Sequence, residues 1–233
     1  MRDVPTYVVI PTRNRHDMLL DCIDSLCHEK EDQGDNLQEI IIIDNLSDPP
    51  IHKVHFGPTL YMTPYCDDPP NISRMWNIGI DTARSWANHR MQKEFNIAIL
   101  NSDVICPDGW IAGMSEGLRK YNATLAYPDQ HGNSSAPIKH VVAEPISLYE
   151  RITGFAFMLR GETSIRLNED LAWWYGDDDL DWRCRELGGS VLLPGLAVEH
   201  KDPNGSTNRD PRLAEQAAKD RETFRKIWGV TPW

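Results

Sequence analysis

The sequence predicts an α/β fold, in which a largely parallel sheet is covered by helices on both faces. Three observations support this. Short apolar runs alternate along the chain with segments whose apolar residues recur at helical spacing. Each run is continuous, as is typical of strands that are buried on both faces of a parallel sheet. The runs also end in polar residues, and open α/β sheets bind their ligands outside the carboxyl ends of the strands.

The first predicted strand covers residues 7–10 (YVVI) and is followed by the polar loop 11–15 (PTRNR). Apolar residues within 19–27 then recur at helical spacing, which predicts an amphipathic helix. A second apolar run at 40–43 (IIII) ends in Asp44. This order of strand, helix and strand is the repeating unit of a parallel sheet.

A weaker strand is predicted at 60–62, and Asn71 or Ser73 is suited to cap the helix that follows. One face of that helix is apolar and carries Ile72, Met75, Trp76, Gly79, Ile80, Ala83 and Trp86. This spacing predicts a helix that packs one side against the sheet.

The chain is organised around a short apolar run at 97–100, which predicts a buried strand. The run ends in Asn101, Ser102 and Asp103, and Pro107 is suited to the first position of a helix. A buried strand that ends on an acid can place a metal ligand at the edge of a sheet. The same Asp103 could simply cap a turn, because Asp is common in that role.

In the second half, strands are predicted at 125–128 and 152–159, and a helix after an acidic segment ends at Gly188-Gly189. Residues 201–210 contain almost no apolar side chains, which predicts a mobile loop. A terminal helix is predicted at 211–228.

Bulk composition excludes several classes of protein. The 233 residues contain five cysteines without CxxC spacing, which indicates reduced thiols rather than a disulfide framework or a zinc site. No apolar run approaches the ~18 residues of a membrane span, and no signal-peptide pattern is present. We therefore expect a cytoplasmic protein. The net charge of −11 disfavours non-specific binding to nucleic acid.

The order of motifs resembles the GT-A fold glycosyltransferases, in particular their large family 2. The segments that carry the resemblance are 8–15 (VVIPTRNR), 43–48 (IDNLSD), 76–80 (WNIGI), 100–103 (LNSD), 176–188 (GDDDLDWRCRELG) and His200. Two positions depart from the family pattern. Asn101 replaces the first aspartate of the D-x-D motif, and Gly176 replaces the usual glutamate before Asp177.

The resemblance implies one GT-A domain over residues 1–233, with a Rossmann-like, mostly parallel sheet and a smaller acceptor-side subregion. It implies a nucleotide-sugar-binding half at 1–104, an acceptor and catalytic half at 105–210, and a C-terminal helix at 211–233. The implied activity is that of a hexosyltransferase acting on a nucleotide-sugar donor, with a UDP-sugar favoured. The implied donor-binding residues are Pro11, Thr12, Arg13, Asn14, Asp44, Asn77, Asn101, Ser102 and Asp103. Of these, Asp44 could instead cap a turn and Arg13 could be a solvated surface residue.

A nucleotide-sugar donor has a diphosphate leaving group, whose departure needs a divalent cation or an equivalent positive charge. The resemblance implies Mn²⁺ or Mg²⁺ at Asp103 and His200, and Mn²⁺ tolerates an imidazole ligand. A histidine at the end of a strand can also simply bond to neighbouring carbonyls.

The acceptor hydroxyl needs a base, and the acidic segment offers two candidates for it. Asp177 matches the catalytic aspartate of the inverting family 2. Asp179 matches the polypeptide N-acetylgalactosaminyltransferases, which retain configuration and have a similar W-G-G-E-N-x-E segment. Acids at such spacing raise one another's pKa. Trp173 and Trp174 could form a stacking wall for an acceptor sugar, or could belong to the core.

Two other classes compete with this interpretation. A nucleotidyltransferase shares the fold type, but loop 11–15 lacks the glycines that it needs. A non-catalytic carbohydrate- or nucleotide-binding relative is favoured by Asn101 and disfavoured by Asp103, Asp177 and His200. The acceptor could be a glycan, a protein or a small molecule, and nucleic acid is less favoured.

Overall fold

The computed structural model describes residues 4–27, 37–51, 59–203 and 205–232. The strands are β1 (Thr6–Thr12), β2 (Leu37–Asn45), β3 (Thr59–Tyr65), β4 (Asn96–Leu100), β5 (Val104–Ile105), β6 (Leu125–Pro128), β7 (Ile138–His140), β8 (Ala156–Arg160), β9 (Ser190–Leu193) and β10 (Glu199–His200). The helices are α1 (His16–Cys27), α2 (Ile72–His89), α3 (Trp110–Lys120), α4 (Gly176–Leu187), α5 (Gly205–Arg209) and α6 (Pro211–Trp228).

Eight strands form one sheet in the order β3-β2-β1-β4-β8-β6-β9-β7. The pairs β3/β2, β2/β1, β1/β4 and β6/β9 are parallel, whereas β8 and β7 run antiparallel to their neighbours. Strands β5 and β10 form a separate antiparallel pair. The predicted α/β fold with a mostly parallel sheet is therefore confirmed.

Helices cover both faces of this sheet, and β1 shows why its sequence is continuously apolar. Val8 and Ile10 face one layer, which is built with α1 and α3. Tyr7 and Val9 face the other layer, which is built with α2 and α4. Because successive side chains of a strand point to opposite faces, both sets must be apolar.

The ends of the helices follow local sequence signals. Asn71 caps α2, because its side chain accepts a hydrogen bond from the backbone N of Arg74 at 2.9 Å. Gly188 caps the end of α4, as the Gly-Gly pair predicts. Asp210 caps α6, and its side chain accepts a hydrogen bond from the backbone N of Arg212 at 2.9 Å.

Three sequence expectations need correction. The strand expected at 152–159 begins only at Ala156. Pro107 precedes α3 rather than opening it, since α3 begins at Trp110 with Gly109 at its N-cap. Residues 201–210 are not a plain loop, because they include the short helix α5. Within the described parts of the chain, no helix combines the length and apolar character required to cross a membrane.

Candidate active site

A cavity of about 590 Å³ opens at the carboxyl ends of β1 and β4. Parallel strands bring the loops that follow them to one edge of the sheet, so residues distant in sequence meet there. The predicted site residues that line this cavity are Pro11, Thr12, Arg13, Asn14, Asn101, Ser102, Asp103, Trp173, Trp174, Asp177 and His200. The buried Thr12 Oγ1 has no hydrogen-bond partner among the described residues.

Asp103 is buried at the centre of a charged cluster. Its Oδ2 accepts a short hydrogen bond from Arg15 Nη1 and lies 3.4 Å from His200 Nε2. Burial opposes ionisation of this carboxyl, but the hydrogen bond from His200 and the charge of Arg15 outweigh burial and lower its pKa. Asp103 is therefore a carboxylate at neutral pH.

His200 is held beside Asp103 by the small β5/β10 pair, in which His200 lies opposite Val104. Its ring packs on Phe155 with centroids 4.2 Å apart. The backbone N of Lys201 also donates to the backbone O of Asp103 at 2.9 Å. These contacts fix the imidazole and the carboxylate relative to each other.

The residues present fit a divalent cation. Asp103 Oδ1 is buried and accepts no hydrogen bond from any residue that the structure describes, which is costly unless a ligand satisfies it. Asp103 and His200 offer one oxygen and one nitrogen. No group of three His, Cys, Asp or Glu side chains in the described ranges could hold a metal alone. A cation at this position would complete its coordination with substrate and water.

Asp177 lies in the first turn of α4 and is the one member of the acidic triplet 177–179 that lines the cavity. Gly154 makes room for it, because a Cβ on this glycine would lie 2.6 Å from Asp177 Oδ2. Burial raises the pKa of Asp177, and the charge of Arg151 and backbone hydrogen bonds offset this in part. A carboxylate with a raised pKa is a stronger proton acceptor.

Asp178 is buried and does not line the cavity. Its carboxylate forms a fork with Arg151, with Oδ2 2.5 Å from Arg151 Nη2. Burial and then the charge of Asp177 raise the pKa of Asp178 to about 7. The neighbouring acids thus raise a pKa as the sequence predicts. Arg151 itself lines the cavity.

Asp179, the alternative base, does not line the cavity. Its Oδ2 accepts from Arg183 at 2.9 and 2.6 Å, and its Oδ1 accepts from Trp228 Nε1 at 3.0 Å. Both oxygens are therefore committed to contacts of α4 with its own next turn and with α6.

Asn77 and Asp44, two of the predicted donor-binding residues, also lie outside the cavity lining. The Asn77 amide is buried and forms a two-way bond with the backbone of Leu167, at 3.0 Å to O and 2.9 Å from N. Asp44 Oδ1 accepts from the backbone N and Oγ of Ser47, so it caps a turn. The same turn also fixes the loop after β1, because Ser47 Oγ accepts a hydrogen bond from the backbone N of Asn14 at 2.9 Å.

Trp173 and Trp174 are held at the cavity wall by two sets of polar contacts. Their backbone N atoms both donate to the buried Asp220 Oδ2 at 2.8 Å. Their indole Nε1 atoms both approach Thr207 Oγ1, at 2.9 and 3.3 Å. Each indole is partly exposed, so a face remains available to the cavity.

Sequence reasoning missed several residues of the site, among them Arg15, Arg151 and Gly154. Arg15 belongs to the PTRNR segment but lies one residue past the predicted donor set. Arg151 and Gly154 stand in a segment without a recognisable motif, and only the fold brings them beside Asp177.

Several solved structures share this fold at low sequence identity. S. aureus TarS 1-349 is 12% identical with a TM-score of 0.59, over 94% of this chain and 68% of that one. GalNAc-T7 with UDP, GalNAc and Mn²⁺ is 14% identical with a TM-score of 0.60, over 85% and 44%. The mannosyltransferase PcManGT from Pyrobaculum calidifontis, in complex with GDP-Man and Mn²⁺, is 13% identical with a TM-score of 0.58, over 92% and 69%.

The chain spans less than half of GalNAc-T7 and 42% of the longer TarS chain. No curated protein sequence matches it at a significant level. The family model for "Glycosyl transferase family 2" matches residues 7–161, which is more than half of the chain. Together with the strand order and the cavity at the ends of β1 and β4, this match shows that the chain belongs to glycosyl transferase family 2.

Proposed function

We propose that this chain transfers a hexose from a nucleotide-sugar donor, with a UDP-sugar favoured, to an acceptor hydroxyl with inversion of configuration. The observation that carries the proposal is that Asp103 and Asp177 line one cavity. One acid is suited to the leaving-group side of the reaction and the other to the acceptor side.

The donor side is formed by the loop after β1 and the segment after β4. Thr12 offers an unpartnered buried hydroxyl, and Asp103 offers an unpartnered buried oxygen. We propose that Asp103 and His200 hold Mn²⁺ or Mg²⁺. When bound, the cation would neutralise charge on the departing diphosphate. The complexes of GalNAc-T7 with UDP, GalNAc and Mn²⁺ and of PcManGT with GDP-Man and Mn²⁺ support the use of a divalent cation.

On the acceptor side, we propose that Asp177 is the general base. The acceptor hydroxyl gives its proton to the Asp177 carboxylate while its oxygen bonds to the anomeric carbon. The bond from that carbon to the diphosphate breaks in the same step, on the opposite face of the sugar, which inverts the configuration. The partly exposed indoles of Trp173 and Trp174 offer apolar surfaces for the C–H face of an acceptor sugar.

The retaining alternative depends on Asp179, and the commitment of both Asp179 oxygens to Arg183 and Trp228 weighs against it. A non-catalytic relative would keep the cavity without turning over the donor. It is disfavoured by Asp177, which is partly exposed in the cavity and has a raised pKa.

The test measures release of nucleoside diphosphate from a panel of UDP- and GDP-sugars, in Mn²⁺ and in EDTA, with mixed glycan and small-molecule acceptors. We expect turnover of at least one donor in Mn²⁺, and proton NMR of the product then gives its anomeric configuration. Tight binding of a donor without any turnover or hydrolysis would support the non-catalytic relative. A product that retains configuration would overturn the inverting mechanism.

A further inference from the structure

Arg15 lies at the junction between the donor side of the cavity and the segment 201–210. Its side chain is only 16% exposed. Nη1 donates to Asp103 Oδ2, while Nη2 donates to Asp202 Oδ2 and to Ser206 Oγ, each at 3.0 Å. One guanidinium thus links the carboxylate of the donor site to the helix α5.

The contacts of Nη1 and Nη2 of this guanidinium differ in whether a bound cation could replace them. Asp103 has His200 at 3.4 Å and an unpartnered Oδ1, so a divalent cation there would supply the charge that Nη1 now supplies. Asp202 Oδ2 and Ser206 Oγ both accept from the other nitrogen of Arg15, Nη2. Nη1 can therefore leave Asp103 while Nη2 keeps its hold on the segment 201–210.

We propose that Arg15 is a diphosphate-binding residue whose Nη1 passes from Asp103 to the diphosphate of the donor when Asp103 binds the divalent cation. This rests on the proposed function and adds a residue to it. A guanidinium suits this role because its planar donors match phosphate oxygens and its charge is permanent. Nη2 would stay on Asp202 and Ser206, so donor binding would draw the segment 201–210 against the donor.

This arrangement predicts that Arg15→Met strengthens the binding of Mn²⁺ and weakens the binding of UDP. Without nucleotide, Arg15 competes with a cation for Asp103, so Arg15→Met should tighten Mn²⁺ binding about threefold to tenfold. With Mn²⁺ present, Arg15 contacts the diphosphate, so the same variant should bind UDP about tenfold to a hundredfold more weakly. Arg15→Lys should lie between, since it keeps the charge but not the fork.

The matched control is Lys201→Met. Lys201 Nζ donates to Asp21 Oδ2 at 2.6 Å, its side chain is 30% exposed, and it does not line the cavity. It removes an equal charge from the same segment, so both the Mn²⁺ and the UDP affinities should change less than about twofold. A general loss of positive charge would act alike in both variants.

Calorimetry gives the Mn²⁺ affinity of the nucleotide-free protein, and then the affinities for UDP and GDP in saturating Mn²⁺. Thermal unfolding confirms that each variant is folded, and the lysine variant replaces the methionine variant if that one is not. Limited proteolysis by proteinase K within 201–210 should be slowed by UDP with Mn²⁺ in the unsubstituted protein and not in Arg15→Met.

Three outcomes would overturn the inference. Equal nucleotide affinity in Arg15→Met and the unsubstituted protein would remove Arg15 from the diphosphate. Weaker Mn²⁺ binding in Arg15→Met would show that Arg15 supports the cation site rather than competing with it. If the unsubstituted protein binds neither UDP nor GDP, the proposed function itself fails and the inference fails with it.

Discussion

Three consecutive acids, Asp177, Asp178 and Asp179, occupy three different environments at the start of α4. Asp177 faces the cavity beside Gly154, Asp178 is paired with Arg151, and both oxygens of Asp179 are bonded within the fold. The three residues are chemically identical, so their type does not indicate which one is the base. A general base must reach the substrate, and exposure to the cavity therefore favours Asp177.

We predict that Asp177→Asn removes transfer but spares donor binding. The amide keeps the shape of the carboxylate but cannot accept the proton, and general-base catalysis is typically worth ~10²–10⁴ in rate. The loss should therefore fall in kcat, with donor affinity unchanged by calorimetry.

The control for this prediction is Asp179→Asn, which is expected to lower thermal stability and to keep most of the transfer activity. Loss of transfer in the Asp179 variant together with near-normal transfer in the Asp177 variant would contradict our assignment and favour the retaining mechanism. If neither variant loses transfer, the base lies elsewhere.

A second prediction concerns pH. The charge of Arg151 lowers the pKa of Asp177, so Arg151→Gln should raise that pKa further. Since the base works as a carboxylate, activity is lost as pH falls through this pKa, and the acid limb of kcat should move to higher pH. Arg151→Lys keeps the charge and should leave the limb in place.

Arg183→Gln is the comparison for the pH profile, because it removes an equal charge that is paired with Asp179 outside the cavity. Its acid limb should match that of the unsubstituted protein. Equal shifts in the Arg151 and Arg183 variants would mean that the limb reports overall charge and not the site.

At the scale of elements, the contact between α2 and β1 depends on one glycine. A Cβ on Gly79 would lie 2.8 Å from Val9 Cγ2 and closer still to Val9 Cγ1. The absence of a side chain lets α2 pack directly on β1, the strand that leads into the donor side of the cavity. The WNIGI motif therefore positions the site through packing. Asn77, in the same helix as Gly79, forms hydrogen bonds with the backbone of Leu167.

We predict that Gly79→Ala lowers the free energy of unfolding by about 1–3 kcal/mol, the usual cost of overpacking. Val9→Ala removes the two methyl groups in the way. In the double variant, the total loss in the free energy of unfolding should therefore be smaller than the sum of the losses in the two single variants, as expected for residues in contact. Urea denaturation of the four proteins measures this, and strict additivity would contradict the direct contact.

The sequence predicts each element better than it predicts which side chains face the cavity. Asp103 and Asp177 were found from motif order, and both line it. Asn77 and Asp44 belong to equally good motifs, but Asn77 Oδ1 accepts from the backbone N of Leu167 and Asp44 Oδ1 accepts from Ser47. A motif records that a residue type is needed at a position, and packing decides whether it is needed for substrate or for the fold.

The segment 201–210 shows a related limit of sequence reasoning. Its lack of apolar side chains predicts a loop, since such a segment cannot build a core of its own. The structure instead holds it by polar contacts, from Arg15 to Asp202 and Ser206 and from the two indoles to Thr207. These partners are distant in sequence, so no local pattern indicates them.

At the scale of the whole molecule, the sequence pattern predicts which strands are buried in the sheet but not the direction in which each strand runs. Continuous apolar runs predict strands buried on both faces, and β1, β2 and β4 are such strands. They do not encode strand direction, so the antiparallel insertion of β8 between β4 and β6 was not predicted. That insertion matters for the site, because the segment leading into β8 carries Arg151 and Gly154.

Charge is distributed unevenly between the chain and its cavity. The net charge is −11, yet the cavity lining is slightly positive. It contains five arginines, namely Arg13, Arg15, Arg151, Arg209 and Arg212, against four aspartates, namely Asp103, Asp177, Asp202 and Asp210. A concave site with locally positive charge attracts an anion such as a nucleoside diphosphate, even in an acidic protein. The uneven distribution therefore fits the proposed donor better than it fits a neutral sugar alone.

Stability of the whole fold should report this ligand. A ligand at 100 times its Kd stabilises the native state by about 2.7 kcal/mol, which for a protein of this length corresponds to a rise in Tm of about 5–10 °C. We predict such a rise for UDP or a UDP-sugar in Mn²⁺, and a clearly smaller one in EDTA. Asp103→Ala should abolish the difference between Mn²⁺ and EDTA, because it removes the unpartnered Oδ1. Asp108→Ala removes an exposed acid five residues further along that does not line the cavity, and should keep the difference. An equal shift in Mn²⁺ and EDTA for the unsubstituted protein would instead mean that the diphosphate is neutralised by arginine side chains without a metal.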